Sequence, residues 1–493
     1  MRRRDFLASA ASFAASAVLA ERVLADPYVP ARKPPLLPGP VRIRGRVTAA
    51  GRGLGRVGVT DGHVVVPTGP NGHFELVSTR GTGFVSVIPP AGHRLPVLPS
   101  GSLALHRSVL PNPRGEMAVS FALEPSPGDK RHAFLLLADP QTQDQAEMRR
   151  FHAETVPDVQ ATVRGLGRPC FGVGCGDLMY DDLGLYPEYE RGLRSMGVPV
   201  AQVVGNHDLD QTARTDQDSV VTFGRHFGPN RYAFNLGRIH YVVLDDVFWF
   251  GSGYIGYLDA DQLDWLAADL ALVERGTPVV VFTHIPVWSS EGERRGARTP
   301  GNSVSVTNRQ ALYRLLEPFR ARIFSGHMHE ADHVFEGGVH EHTVGAVCGA
   351  WWTGDICYDG TPNGYGVYEV NGEELRWYYK ATGQPVDHQL RVYPRGAEPT
   401  APGEIVANVW NWDPEWKVEW YEGADRRGLM ARRTGKDPLA VSRLIAANLA
   451  PRRRWIEPVL NHHMFYAPVG ADAKNIRVVA TDRFGQRYTA AVA

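Results

Sequence analysis

Apolar and polar positions along this chain fall into three successive patterns. Up to about residue 123, short β-type runs over 41–47, 58–62 and 73–77 alternate with Gly turns, and no helical spacing separates them. That rhythm predicts a small β-sandwich. Over 131–383 strongly apolar runs alternate with stretches of helical periodicity, which predicts an α/β domain. One of these, 260–274, lines up Leu263, Leu266, Leu270 and Val273 on a single face and predicts a helix. β-type runs return over 404–409 and 476–480 and predict a second β domain over 400–493. The first β domain is expected over 41–125, behind a Pro-rich linker at 26–40.

Composition narrows the class. A chain of 493 residues with 43% apolar and 22% charged residues suits two to four folded domains and excludes a mostly disordered protein. Lys+Arg and Asp+Glu both number 53, and this balance argues against a general binder of nucleic acid or acidic membranes. No apolar run approaches the length of about 18 residues that a membrane span needs. Four cysteines are too few for a disulfide scaffold, although Cys348 with Cys357, or Cys170 with Cys175, are pairings open in an oxidising compartment. No catalytic thiol is expected. Residues 1–25 open with Arg2, Arg3, Arg4, Asp5, Phe6 and Leu7 before an Ala-rich stretch, which reads as a twin-arginine export signal. The cut is expected after Ala20 or Ala25, and the destination is the periplasm or the exterior.

Five segments of the middle domain share one layout, an apolar strand running into metal-seeking residues. They end at Asp139 and Gln141, at Asp177, at Asn206 with His207 and Asp208, at His284, and at His327 with His329. In an open α/β sheet the carboxyl ends of strands line the ligand crevice, so the five ends are expected to converge. Gly176, Gly205 and Gly326 stand just before ligand positions, where a sharp turn needs room. Two carboxylates, two amide oxygens and three imidazoles suit a pair of divalent first-row metals. With a bridging hydroxide, such a site keeps about one net positive charge, which attracts a phosphate group.

These motifs resemble those of the calcineurin-like metallophosphoesterase superfamily, and the flanking segments resemble a bacterial subfamily with extra β domains on both sides. The resemblance implies a core of two β-sheets flanked by helices, with a β-sandwich at each end. It implies one metal held by Asp139, Gln141, Asp177 and His329, with Asp177 bridging to a second held by Asn206, His284 and His327. The ions are expected to be manganese, iron, zinc or similar. His207 would protonate the leaving-group oxygen, with Asp208 orienting its ring. Gln141 departs from the commonest pattern, which has His there.

The expected function is an exported phosphoesterase in which a metal-bridging hydroxide attacks a phosphate ester, a diester in preference to a monoester. An exported binding protein with a vestigial metal domain, or a nuclease, are the alternatives. The β domains are candidates for contact with an envelope polymer. Arg294, Arg295 and Arg298 offer forks for phosphate oxygens but read more simply as a solvated basic turn. Trp351 and Trp352 suit either leaving-group stacking or core packing. His333, His340 and His342 match no ligand position and receive no role, and His462 and His463 read as ordinary strand residues.

Overall fold

The computed structural model describes residues 39–79 and 83–492. The export signal, its two cleavage points and nearly all of the linker lie outside the described residues.

The middle of the chain folds as two facing sheets. One has the strand order Val200–Val203, Cys170–Cys175, Arg131–Leu137, Gly364–Asn371, Glu374–Ala381; the first three are parallel, the fourth runs antiparallel to the third, and the fifth antiparallel to the fourth. The other runs Tyr232–Leu236, Ile239–Val243, Pro278–Phe282, Arg320–Ser325, Val339–Thr343, Asp332–Glu336. Alternation along each strand sorts its side chains. Phe134, Leu136, Phe171 and Val173 meet Phe234, Tyr241, Phe282 and Phe324 between the sheets. Leu135 and Leu137 face outward onto Met148, Phe151, Val159 and Leu193 of the neighbouring helices. On the opposite side Val279, Val281 and Ile323 pack on Trp265, Leu266, Leu312 and Leu316. The layers are helix, sheet, sheet, helix, as period-2 patterning on strands buried on both faces requires.

The expected helix forms over Ala260–Leu270, capped by the Asp259 carboxylate on the Gln262 N–H. Trp265 is fully buried, and its indole N–H donates to Thr60 of the N-terminal region at 3.0 Å.

The N-terminal region is a pair of four-stranded sheets enclosing Ile43, Val59, Leu76, Val85 and Phe121. Its Ser102 bridges Val200 in parallel and covers the edge of the first core sheet. The C-terminal region is also two four-stranded sheets, and it takes in Arg391–Tyr393, ahead of the expected start at 400. A buried polar seam joins it to the core. Asp359 accepts from the Ala331 and Thr361 N–H groups and pairs with His463 at 3.2 Å, while Asn408 and Asn461 donate to its carbonyl. His463 therefore lies on a strand, Leu460–Pro468, as expected. All four cysteines are free thiols, so neither disulfide pairing forms.

Candidate metal centre

The strands that end in candidate ligands are parallel within each sheet, so their carboxyl ends reach one rim. The loops there are tight. Asp139, Gln141, Asp177, His327 and His329 all adopt left-handed backbone with φ between 39° and 67°, which non-glycine residues seldom do. Such strain persists only where surrounding contacts over-determine it, and it clusters at functional sites. Close approach explains two of the glycines. A Cβ on Gly205 would stand 2.0 Å from the Asp177 nitrogen, and one on Gly176 would stand 2.2 Å from His284 Nδ1.

Four donor atoms converge on one point. His284 Nε2 lies 3.1 Å from Asn206 Oδ1, 3.2 Å from Asp177 Oδ1 and 3.2 Å from His327 Nδ1. The second ring nitrogen of each imidazole is already engaged. His284 Nδ1 meets the Cys175 carbonyl at 3.0 Å, and His327 Nε2 meets that of Ser303 at 2.9 Å. Carbonyl partners of this kind fix the tautomer and leave the inner nitrogen as a lone pair for a metal. Beside this group, His329 Nε2 lies 3.5 Å from Asp139 Oδ1, and its Nδ1 is held by the Gly349 carbonyl at 2.7 Å. Gln141 also reaches the cluster, but its amide nitrogen faces Asp177 Oδ2 at 2.9 Å. A half-turn of that amide is needed before its oxygen can serve as a ligand.

The electrostatics fit a cation. Burial pushes the Asp139 carboxyl well above its ordinary range and Asp177 adds to the rise, while His284 opposes it. Burial also opposes ionisation of Asp177, yet the charges of His284 and His207 hold it below the ordinary carboxylate value. For His284, burial works against the proton, but the charge and hydrogen bond of Asp177, with Asp139, raise the ring to about 10. His327 falls to about 3 through burial and the His284 charge, and His329 to about 4, mainly through burial. Two buried carboxyl groups packed against these imidazoles form a pocket whose charge a divalent ion would balance. Asp246 was not legible as part of this site. Fully buried, it accepts from the His284 and Ile285 N–H groups and fixes the His284 loop.

His207 stands beside the cluster, its backbone N–H donating to Asp177 Oδ1 at 2.8 Å. Its ring is not oriented by Asp208, contrary to the sequence expectation. Nδ1–H donates to Asp181 Oδ1 at 2.7 Å, and the ring stacks on Tyr180 with centroids 4.3 Å apart. Asp208 is fully buried and spends its carboxylate on the N–H groups of Leu178, Met179 and Gly205 and on the Tyr186 hydroxyl. Adjacent residues in a tight turn point apart, so neighbouring positions in sequence did not give partners in space.

Three stretches of the sequence match the family described as calcineurin-like phosphoesterase. Its core matches residues 134–331, its N-terminal domain 41–125 and its C-terminal domain 341–488. The chain belongs to the calcineurin-like phosphoesterases. The family is metal-dependent, typically with two ions, and the donor set described above fits that chemistry.

Among curated proteins, the chain is 26% identical over 181 residues to the serine/threonine-protein phosphatase CPPED1 of Homo sapiens, covering 35% of this chain and 57% of that one. It is 36% identical over 103 residues to purple acid phosphatase 22 of Arabidopsis thaliana, 20% of each chain. The chain spans about half the length of the CPPED1 relatives it matches. Among solved structures, purple acid phosphatase PPD1 from yellow lupin aligns with a TM-score of 0.38 and 12% identity, covering 70% of this chain and 68% of that one.

Around this phosphoesterase site, the C-terminal region supplies supports that the motifs did not reveal. Arg453 lies over the Tyr180 ring at 4.9 Å, on the ring that backs His207, and donates to buried Glu147 at 3.0 Å. Trp351 stacks on the His329 ring at 4.0 Å and meets Trp455 edge-on at 4.5 Å. Trp352 is a core residue, buried, with its indole N–H on the Pro140 carbonyl. Arg294 is no solvated basic turn: its guanidinium is buried in ion pairs with Glu330 and Asp332. Arg295 and Arg298 are exposed. Among the described residues no helix is long and apolar enough to cross a membrane.

Proposed function

We propose that this chain is an exported, metal-dependent hydrolase of phosphate esters, with two divalent ions of the manganese, iron or zinc kind. The observation that carries the reading is the convergence of Asp177, Asn206 and His327 on His284 Nε2. Asp139, Asp177, His329 and, with its amide turned, Gln141 would hold one ion; Asn206, His284 and His327, with Asp177, would hold the other. When bound, the ions act as Lewis acids that activate water and polarise the phosphoryl oxygens.

The protein's own residues do the rest. Ring tautomers of His284, His327 and His329, set by backbone carbonyls, keep the inner nitrogens aimed at the ions without reorganisation. His207, held by Asp181 and stacked on Tyr180, delivers a proton to the leaving-group oxygen. Diesters are the favoured substrates, because a monoester dianion asks for additional positive charge. Arg294 and Arg453, two candidates near the site, are spent on Glu330, Asp332 and Glu147. Export rests on the opening Arg2 to Leu7 motif, and the flanking β domains are proposed to touch an envelope polymer.

Turnover of bis-p-nitrophenyl phosphate against p-nitrophenyl phosphate, with added manganese, tests the reading. Wild-type activity that disappears in Asp177→Asn supports it. Equal activity in the variant overturns it, and faster monoester than diester turnover overturns the substrate preference.

A further inference from the structure

Outside the phosphoesterase site, three histidines gather on one face of the hairpin formed by Asp332–Glu336 and Val339–Thr343. His333 and His342 are directly paired across the two strands, and His340 lies two residues from His342, so all three side chains share a face. One ring nitrogen from each falls within 4.8 Å of the others, and His333 Nδ1 lies 3.0 Å from His340 Nε2. Two nitrogens bound to one tetrahedral zinc at about 2.0–2.1 Å each are about 3.3 Å apart, close to that separation.

A second observation is independent of this spacing. His342 is 1% exposed, and among the described residues neither of its ring nitrogens has a hydrogen-bond partner. Leaving a buried polar group unsatisfied costs about 1–3 kcal/mol, so an orphan imidazole inside a cluster of imidazoles asks for a ligand. The outer nitrogen of His333 is occupied in the way metal-bound histidines are, at 3.2 Å from Asn411 Oδ1, a residue of the C-terminal region. Burial lowers the proton affinity of the His333 and His342 rings, and nearby ring charges add to the fall at His342.

We propose that His333, His340 and His342 form a separate site for one transition-metal ion, zinc or a similar imidazole-preferring divalent cation, with a structural role. Three neutral nitrogen donors suit zinc, copper or nickel and not magnesium or calcium, which need oxygen. Two guanidinium groups lie close by. Arg322 pairs with His340 in the strand register, and Arg483 is neutralised by both oxygens of Asp413 at 2.8 and 2.9 Å. Since Asn411, Asp413 and Arg483 all lie on loops between strands of the C-terminal region, the ion fastens that region to the edge of the core.

The test compares zinc bound per chain in wild type and in His333→Gln and His340→Gln, each loaded with zinc, dialysed and checked for folding by circular dichroism. The expected result is one equivalent less in each variant, whatever number the phosphoesterase site holds. Asp177→Asn, which removes a ligand of that other site, should retain this equivalent. Equal zinc in wild type and a folded His→Gln variant overturns the proposal. Should the variants not fold, zinc-edge anomalous maps of zinc-loaded wild-type crystals decide. A peak between the three imidazoles supports the site, and none overturns it.

Discussion

His207 Nδ1 and Asp181 Oδ1 stand 2.7 Å apart, and this pair, not the neighbouring Asp208, sets the ring of the proposed proton donor. His207→Gln is expected to lower kcat roughly 10²–10⁴-fold for esters whose leaving group needs a proton. The loss should be much smaller with p-nitrophenolate, which leaves unprotonated. Asp181→Asn should follow the same leaving-group trend more weakly. Asp208→Asn should instead show up as a fall in Tm, because it disturbs the three backbone N–H groups that the carboxylate holds. Leaving-group dependence in Asp208→Asn but not in Asp181→Asn would contradict the assignment.

Asp246 holds the His284 loop through two backbone hydrogen bonds without itself reaching the donor cluster. Removing such an outer partner usually costs about 10–100-fold in metal affinity or activity. Asp246→Ala is expected to weaken binding of the first-row ion within that range, read by manganese titration of activity. Unchanged affinity would remove Asp246 from the site.

Arg453 supports Tyr180 from the C-terminal region while donating to Glu147. In Arg453→Ala, Glu147 keeps half-exposed Arg452 and the Gln143 N–H, and the expected loss is about 1–3 kcal/mol of stability. Arg453→Lys keeps the charge but not the flat stacking group and should recover part of it. Thermal unfolding of the three proteins checks the order.

Acid sensitivity should centre on Asp359. Burial works against its charge, but the hydrogen bond and charge of His463 and the Ala331 and Thr361 N–H groups hold its pKa below the ordinary value. A depressed folded pKa contributes stability that is present above about pH 4 and lost as pH falls through the folded value. Asp359→Asn is therefore expected to be less stable at neutral pH and to lose less on acidification. Urea midpoints taken across that range that fall as steeply as wild type would refute this.

Local signals were readable from the sequence. Strand runs and their ligand ends sit within a few residues of one another, so Asp139, Asp177, Asn206, His284, His327 and His329 emerged together. Interactions that bridge distant segments left no such trace. Arg453 and Trp455 reach the site from beyond the last motif, and Asp181 follows a different strand from His207. Arg294 looked like surface charge because nothing in its own loop announces Glu330 and Asp332 as buried partners. The histidines at 333, 340 and 342 carried no motif, since their shared face exists only once the hairpin register is set.

The strand that delivers Asp139 has Cys170–Cys175 on one side and Gly364–Asn371 on the other. A ribosome must therefore release residues well past the last of the metal-seeking positions before that strand gains its second neighbour. Until then the nascent chain carries an open sheet edge, so native order in this sheet waits for residues 364–371. Any fragment that stops short of Gly364 lacks both strands that close this side of the sandwich, and should be recovered as an insoluble product rather than a smaller enzyme.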